Sequence, residues 1–385
     1  MNFVCLSPHF PPNFRNFWRR LAENGATVLG LGDSPADELG EAGPALAEYF
    51  RVGDLHHYPD LVKALGWFTF RYGRLDRLES HNEYWLETDA ALRTDFNIPG
   101  PHRENVVRVK HKSLMKEVFR SAGIDVARGR VVRNRREAEA LAEDLGFPLI
   151  AKPDVGVGAA GTVRLRTGRD LVDLFDNKPP ADYILEEELT GTLCSFDGMV
   201  DAEGHIVFYT SHVFCTGVME IVNNDEDMFY YSLREVPEDL EKAGRAAVAA
   251  FGLRERFFHI EFWRRKTDQS LVAMEINMRP PGGLTTDMFN FANDIDVYRE
   301  YANLVTTGRF WANWSRPYHV MYIGRKNYIT YKHSIEDVVS AAGGLVVHHQ
   351  QVQSVFARAI GDYCVMARHP ELPPLMDLIR YVLAS

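Results

Sequence analysis

Two segments of the sequence bring together residue types that can hold a metal ion and a phosphate. One is FFHIEFWRR, residues 257–265; the other is SLVAMEINM, residues 270–278, followed by Arg279 and the run Pro280-Pro281-Gly282-Gly283. Side chains alternate along a strand, so Glu275, Asn277 and Arg279 share one face while Met274, Ile276 and Met278 take the other. Turn formers separate the segments, and a hairpin centred on Asp268 sets Glu261 opposite Glu275 and His259 opposite Asn277. Facing carboxylates destabilise a sheet unless a cation or a proton lies between them. Two glutamates and an amide oxygen suit magnesium, with manganese as the alternative, rather than zinc. A polar strand face open to solvent is the competing reading of the same pattern, and a strand histidine beside a sheet edge, as His259 is, is more often structural than catalytic.

Further upstream, residues 156–161 read GVGAAG, a match to G-x-G-x-x-G. A dinucleotide fold needs a helix after that motif, but TVRLRT alternates like a strand, and no G-K-[ST] ending is present. A glycine loop joining two strands instead offers backbone N–H groups that can close over phosphate. Lys152 precedes the loop in the apolar setting LIA-Lys-Pro and reads as a phosphate contact, whereas Lys112, on the first turn of a helix, reads as ordinary surface. Glu186, Glu187 and Glu188 in YILEEELTG are either a charged strand end or a connecting segment whose backbone reads an adenine edge.

The elements that must position these groups alternate early in the chain. NFVCL and TVLGLGD are strand-like and flank a helical FRNFWRRLAENGA, a β-α-β unit that implies a parallel, Rossmann-like sheet. LESHNEYWLETDAALRTDF favours helix up to Pro99, Gly100 and Pro101. A helix at 111–123, a strand at VARGRVV, a helix at RREAEALAEDLG and a strand at FPLIAKP follow. From Tyr183 onward YILEEEL, LCSFDGMVD and HIVFYTSHVF suggest an antiparallel sheet. After them come a helix at 237–251, the hairpin, two more helical stretches, and a tail with strands HVMYIG and LVVHHQ and a last helix LMDLIRYVLA.

Composition narrows the classes. Hydrophobic residues make up 46% of 385, enough for a large core in two or more domains. A formal net charge of −10 and a pI near 5.8 run against a nucleic-acid binder. The four cysteines are scattered, with no C-x-x-C pair, so neither a disulfide framework nor a zinc site is indicated. The start MNFVCLSPHFPP does not read as a signal peptide, and no run of roughly 18 apolar residues occurs. A cytoplasmic location, without membrane or nucleic-acid partners, is the expectation.

Taken in order, HKSLMKEVFRSAGI, FPLIAKPDVGVGAAGTV, ILEEELTG, HIEF and MEINMRPPGG resemble the ATP-grasp superfamily, in particular its carboxylate–amine ligases of the biotin-carboxylase and amino-acid-ligase type. The resemblance extends to ENGATVLGLGD and NEYWLETDAALRTDFNIPG and covers most of residues 1–310. It implies an α/β (α+β) chain with a Rossmann-like domain at 1–108, an ATP-grasp domain at 109–310 and an α/β extension at 311–385. The ATP-grasp domain would hold two subdomains with antiparallel sheets, a lid-bearing one at 109–184 and a metal-site one at 185–310. By the same resemblance Lys112 and Lys152 contact ATP phosphates under the loop of Gly156, Gly158, Ala159 and Gly161, and Glu186, Glu187 and Leu189 hold adenine largely by backbone groups. Glu261, Glu275 and Asn277 ligate two magnesium ions, and Arg279 steadies the transferring phosphate. His259, Arg279, Gly282 and Gly283 border the substrate, as does the loop at 215–231. The implied activity is an ATP-dependent carboxylate–amine (or thiol) ligase using an acyl phosphate, with small-molecule substrates and a homodimer as a compatible assembly. A carboxylase or phosphoryl-transfer enzyme of the same superfamily, and an ATP-binding regulator without turnover, are the rivals.

Overall fold

A computed structural model describes residues 1–156, 161–214 and 228–385. Among these, no helix is long and apolar enough to cross a membrane. The chain starts with a four-stranded parallel sheet of β1 (Asn2–Leu6), β2 (Thr27–Gly32), β3 (Glu48–Arg51) and β4 (Arg77–Glu79), in the order β3-β2-β1-β4. The β1-helix-β2 unit expected from the sequence is present, with Phe17, Trp18 and Leu21 of helix Arg15–Glu23 buried on its inner face. One expectation needs correction. The stretch from Leu78 to Phe96 is not one helix: Leu78 and Glu79 belong to β4, which pairs with β1, and the helix is Leu86–Asp95. Sheet pairing overrides local helix propensity here.

A second sheet, antiparallel, contains β5 (Gly129–Val132), β6 (Leu149–Pro153), β7 (Val163–Leu165) and β8 (Tyr183–Glu187) in the order β5-β8-β6-β7. β6 and β7 form a hairpin with Leu149 opposite Leu165, so a strand follows the glycine-rich loop, as the alternation of TVRLRT predicts. β8 runs through residues 184 and 185, and the break between this sheet and the next comes after Glu187.

The third sheet has β9 (Gly191–Val200), β10 (Ile206–Phe214), β11 (Met228–Ser232), β12 (Arg256–Arg265), β13 (Leu271–Asn277), β14 (His319–Arg325), β15 (Val346–Gln351) and β16 (Tyr363–His369), in the order β13-β12-β9-β10-β11-β14-β16-β15. The C-terminal strands therefore extend the sheet that carries the hairpin. Tail strand β16 and helix Ser354–Ile360 were not foreseen, and residues 228–231, expected in a loop, lie in β11.

Period-two alternation gives the third sheet two different faces. Phe196, Phe258, Ile260 and Phe262 pack with helices Lys112–Ser121 and Glu238–Phe251. The latter helix approaches closely because Gly244 lacks a Cβ, which would stand 2.2 Å from the Phe196 ring. On the other face, Met199, Phe208 and Phe257 pack against helices Arg15–Glu23 and Val297–Thr307. Further along, that same face turns polar with Ser195, Asp197, His212, His259 and Glu261. The parallel sheet is tied on by ion pairs, Arg77 to Glu255 and Arg256 to Glu79 at 3.0 Å, while Arg93 holds Glu79 at 2.8 Å from within its own unit.

Candidate active site

A cleft of about 230 Å³ opens between the second and third sheets. Its acidic end is lined by Glu83, Glu261, Glu275, Asn277, His259 and Arg279. The hairpin pairs Glu261 with Glu275 and His259 with Asn277, in the register read from the sequence. The route to that register differs from a turn centred on Asp268. Nearer the turn, Arg264 faces Leu271 and Phe262 faces Ala273, one residue out of step, and a β-bulge between Glu261 and Phe262 restores the pairing. Met274 is the extra residue. It lines the cleft beside Glu275, where strict alternation would put it on the opposite face; the bulge turns it inward. Ile276 and Met278 do point into the core.

Charge is concentrated unevenly here. Burial, with Glu83 and Glu261 nearby, pushes the Glu275 carboxyl above the ordinary glutamate range, against the pull of Lys112 and Lys152. Asn277 Nδ2 donates to Glu275 Oε1 at 3.1 Å. β13 ends at Asn277, so Arg279 lies just past the strand; its Nη2 bonds Glu83 Oε2 at 2.8 Å and its Nη1 the Pro280 carbonyl at 2.8 Å. Glu83 was not singled out from sequence: it comes from the loop after β4, held by Ser80 N–H and Oγ donating to the buried Asp89. Burial raises the Asp89 carboxyl to about 7. The facing carboxylates of Glu261 and Glu275, the latter disfavoured as an anion, with the Asn277 amide oxygen beside them, are donor types that fit a hard divalent cation.

Lysines line the cleft as well. Lys112 opens its helix and is 7% exposed, not surface as its position suggested. Lys152 Nζ pairs with Glu186 Oε2 at 2.7 Å, and Lys116, absent from the sequence reading, pairs with Glu186 Oε1. Lys116 stands four residues after Lys112, on the same helix face, which is the signal that could have found it. Glu186 and Glu187 differ from a purely backbone role. The Glu186 carboxylate is buried between two lysines, while the Glu187 N–H donates to Arg128 O at 2.9 Å and its carboxylate bonds Arg128 and Arg265. Leu189 lies past the strand end and lines the cleft with Ala127, Ile150, Leu193 and Trp263, a pocket suited to a flat apolar ring.

Behind His259 is a buried network that the sequence did not reveal. Asp197 Oδ1 meets His259 Nδ1 at 2.5 Å, and Oδ2 meets His212 Nδ1 at 2.8 Å and Ser195 Oγ at 2.5 Å. His259 Nε2 reaches Glu261 Oε1 at 3.4 Å. Burial would lower the His259 pKa, but the Asp197 anion and the hydrogen bonds that the ring donates to Asp197 and Glu261 prevail and raise it to about 10. Gly156, Gly161, Gly282 and Gly283 do not line the cleft; Gly283 O accepts from Asn13 Nδ2 at 3.1 Å. Gly158, Ala159 and the expected substrate-bordering residues 215–227 lie outside the described residues.

No protein-family model matches the chain. It is similar to an L-arginine-specific L-amino acid ligase of Bacillus subtilis, 24% identical over 252 residues, which are 63% of this chain. The match spans only 61% of that protein's own length. Among solved structures, an L-amino acid ligase from Bacillus licheniformis superposes with a TM-score of 0.76 at 15% identity, covering 98% of this chain and 95% of that one. The biotin carboxylase domain of Hydrogenobacter thermophilus 2-oxoglutarate carboxylase, in complex with MgADP, ADP and bicarbonate, gives 0.73 at 14% identity over 98% and 88%. With two such sheets facing across a cleft lined by lysines and by the Glu261, Glu275 and Asn277 hairpin, the chain has the fold of the ATP-grasp carboxylate–amine ligases to which it is similar.

Proposed function

We propose that the chain is an ATP-dependent ligase that joins a small carboxylate, an amino acid or peptide among them, to an amine (or thiol) through an acyl phosphate. One observation carries this reading: Arg279 lines the cleft together with Glu261, Glu275 and Asn277, its guanidinium bonded to the Glu83 carboxylate rather than to a group of the apolar pocket. A nucleotide-binding regulator needs the apolar pocket and the lysines; a guanidinium at the carboxylate pole serves group transfer, where its planar fork can hold two oxygens of a transferring phosphate. The first 108 residues act, in this reading, as a Rossmann-like unit beside the ligase domain at 109–310, and the parallel sheet supports that assignment.

The roles of the side chains follow from their places. Lys112 and Lys152 neutralise the nucleotide phosphates, the apolar pocket takes the base, and Glu261, Glu275 and Asn277 hold two magnesium ions, with manganese as a substitute. When bound, magnesium offsets charge on the γ-phosphate. Arg279 orients that phosphate as the substrate carboxylate oxygen attacks its phosphorus and ADP leaves; the amine then attacks the acyl carbon and phosphate leaves. Positioning and charge do the work, and no nucleophilic side chain is required.

The test is ADP release with magnesium and ATP against panels of amino acids, dipeptides and small carboxylates, each with and without an amine. Hydroxylamine traps the acyl phosphate as a hydroxamate. Carboxylate-dependent hydroxamate is the expected result. ATP binding without ADP formation for every carboxylate and amine would overturn the ligase reading in favour of the regulator.

A further inference from the structure

We propose that Lys116 is a positioning residue of the nucleotide site: by sharing the Glu186 carboxylate with Lys152, it leaves Lys152 a net charge to offer the phosphates. The inference deepens the ligase reading and rests on it.

Three ionisable groups from three elements meet here. The side chains are 6% exposed for Glu186 on β8, 13% for Lys152 on β6 and 4% for Lys116 on helix Lys112–Ser121. The Lys116 ammonium is held by protein acceptors, the Glu186 carboxylate and the Ala127 carbonyl at 2.8 Å. It therefore acts on a ligand through Glu186 and Lys152. Lys152 by itself would form a neutral pair with Glu186. Such a pair acts on a phosphate as a dipole, whose field falls off faster than that of a charge. With the second lysine the buried triad carries one net positive charge, in surroundings where screening by salt is weak. Glu186 is drawn below the ordinary glutamate value by both lysines in spite of its burial, and Lys152 is raised by Glu186. Lys116 is lowered by burial and by Lys152, with Glu186 opposing.

Charge arithmetic supplies a test that a packing role would not pass. Lys116→Met keeps the length of the side chain and reduces the triad to neutral; Lys116→Met combined with Glu186→Gln returns it to one positive charge on Lys152. Binding of ADP with magnesium and of adenosine is measured by calorimetry on the full chain. In the single variant ADP should weaken by roughly tenfold to thirtyfold, the effect of one charge several ångströms away at an effective dielectric near 20. Adenosine, without phosphates, should shift by less than about twofold, and the double variant should bind ADP within about threefold of the parent. If the single variant does not fold, the double variant decides by the same comparison with the parent. Equal losses for adenosine and ADP, or no recovery in the double variant, would overturn the role given to Lys116 while leaving the ligase reading in place. Failure of the parent to bind ADP would overturn both.

Discussion

Glu275→Gln should separate what the acidic cluster does for the reaction from what it does to the fold. Opposite residues of an antiparallel pair have Cβ atoms about 4.5–5.5 Å apart, and at such a separation the Glu261 and Glu275 carboxylates repel by about 3–4 kcal/mol at an effective dielectric of 20. Glu83 adds to this, and Lys112 and Lys152 remove part of it. The net penalty on the Glu275 anion without metal is about 1–2 kcal/mol. Glutamine keeps the shape and an oxygen able to accept from Asn277 Nδ2, so the variant should be at least as stable as the parent in EDTA, by up to about 2 °C in unfolding midpoint. The pH dependence has a definite sign. Because the folded-state pKa is raised, the stability linked to this carboxyl is full below its unfolded value near 4.3 and is lost as pH rises through the folded value. The midpoint gap between variant and parent should therefore widen as pH rises above about 4.3 and level off once the carboxyl is ionised in the folded state. Magnesium with ADP should stabilise the parent and leave the variant nearly unmoved, and the variant should lose ADP formation. Differential scanning fluorimetry over that pH range, with EDTA or with magnesium and ADP, measures all of this. A variant several degrees less stable than the parent in EDTA, with an undiminished response to magnesium, would refute the metal assignment and the electrostatics behind it.

Asp197→Asn should cost about 2–4 kcal/mol at neutral pH, because it removes the buried anion that two histidines share. Those partners hold the Asp197 carboxyl well below the usual range, so its stabilising effect is present above about pH 4 and fades as pH falls further; by NMR, His259 should stay protonated up to near pH 10 in the parent and titrate near neutrality in the variant. Gly244→Ala should destabilise by about 1–3 kcal/mol in denaturant melts, since its Cβ meets the Phe196 ring at 2.2 Å, with activity per folded molecule unchanged.

Much of the site was legible because its chemistry lies in short local patterns. The E-x-N-x-R run, the strand either side of the glycine loop and the lysine after LIA all depend on neighbours along the chain, and hairpin pairing converts that local order into Glu261 facing Glu275. What was missed comes from contacts made across sequence. Lys116 is significant only because helix Lys112–Ser121 brings it to Glu186, seventy residues away. Glu83 lies in a segment whose own preference is helical, and pairing of β4 with β1 is what frees it to reach Arg279. Asp197 and His212 sit on different strands and look, in one dimension, like isolated polar residues in apolar runs.

The bulge in the hairpin shows why a correct register can rest on an incomplete derivation. A turn at Lys266–Gln269 with uniform pairing would set Glu275 opposite Ile260 and leave Glu261 facing Met274, one carboxylate on each face of the sheet. The extra residue at Met274 reverses that outcome: it moves Glu275 onto the face of Glu261 and Asp197, and brings its own thioether into the cleft between the acidic end and the apolar pocket. The proposed metal ligands thus reach one face through a single irregularity, in a strand whose sequence alone reads as regular. Deleting Met274 would remove the bulge and still set Glu275 opposite Glu261, because Phe262 faces Ala273 and the next residue would then be Glu275; such a variant should keep metal-dependent ADP formation and lose only the thioether in the cleft.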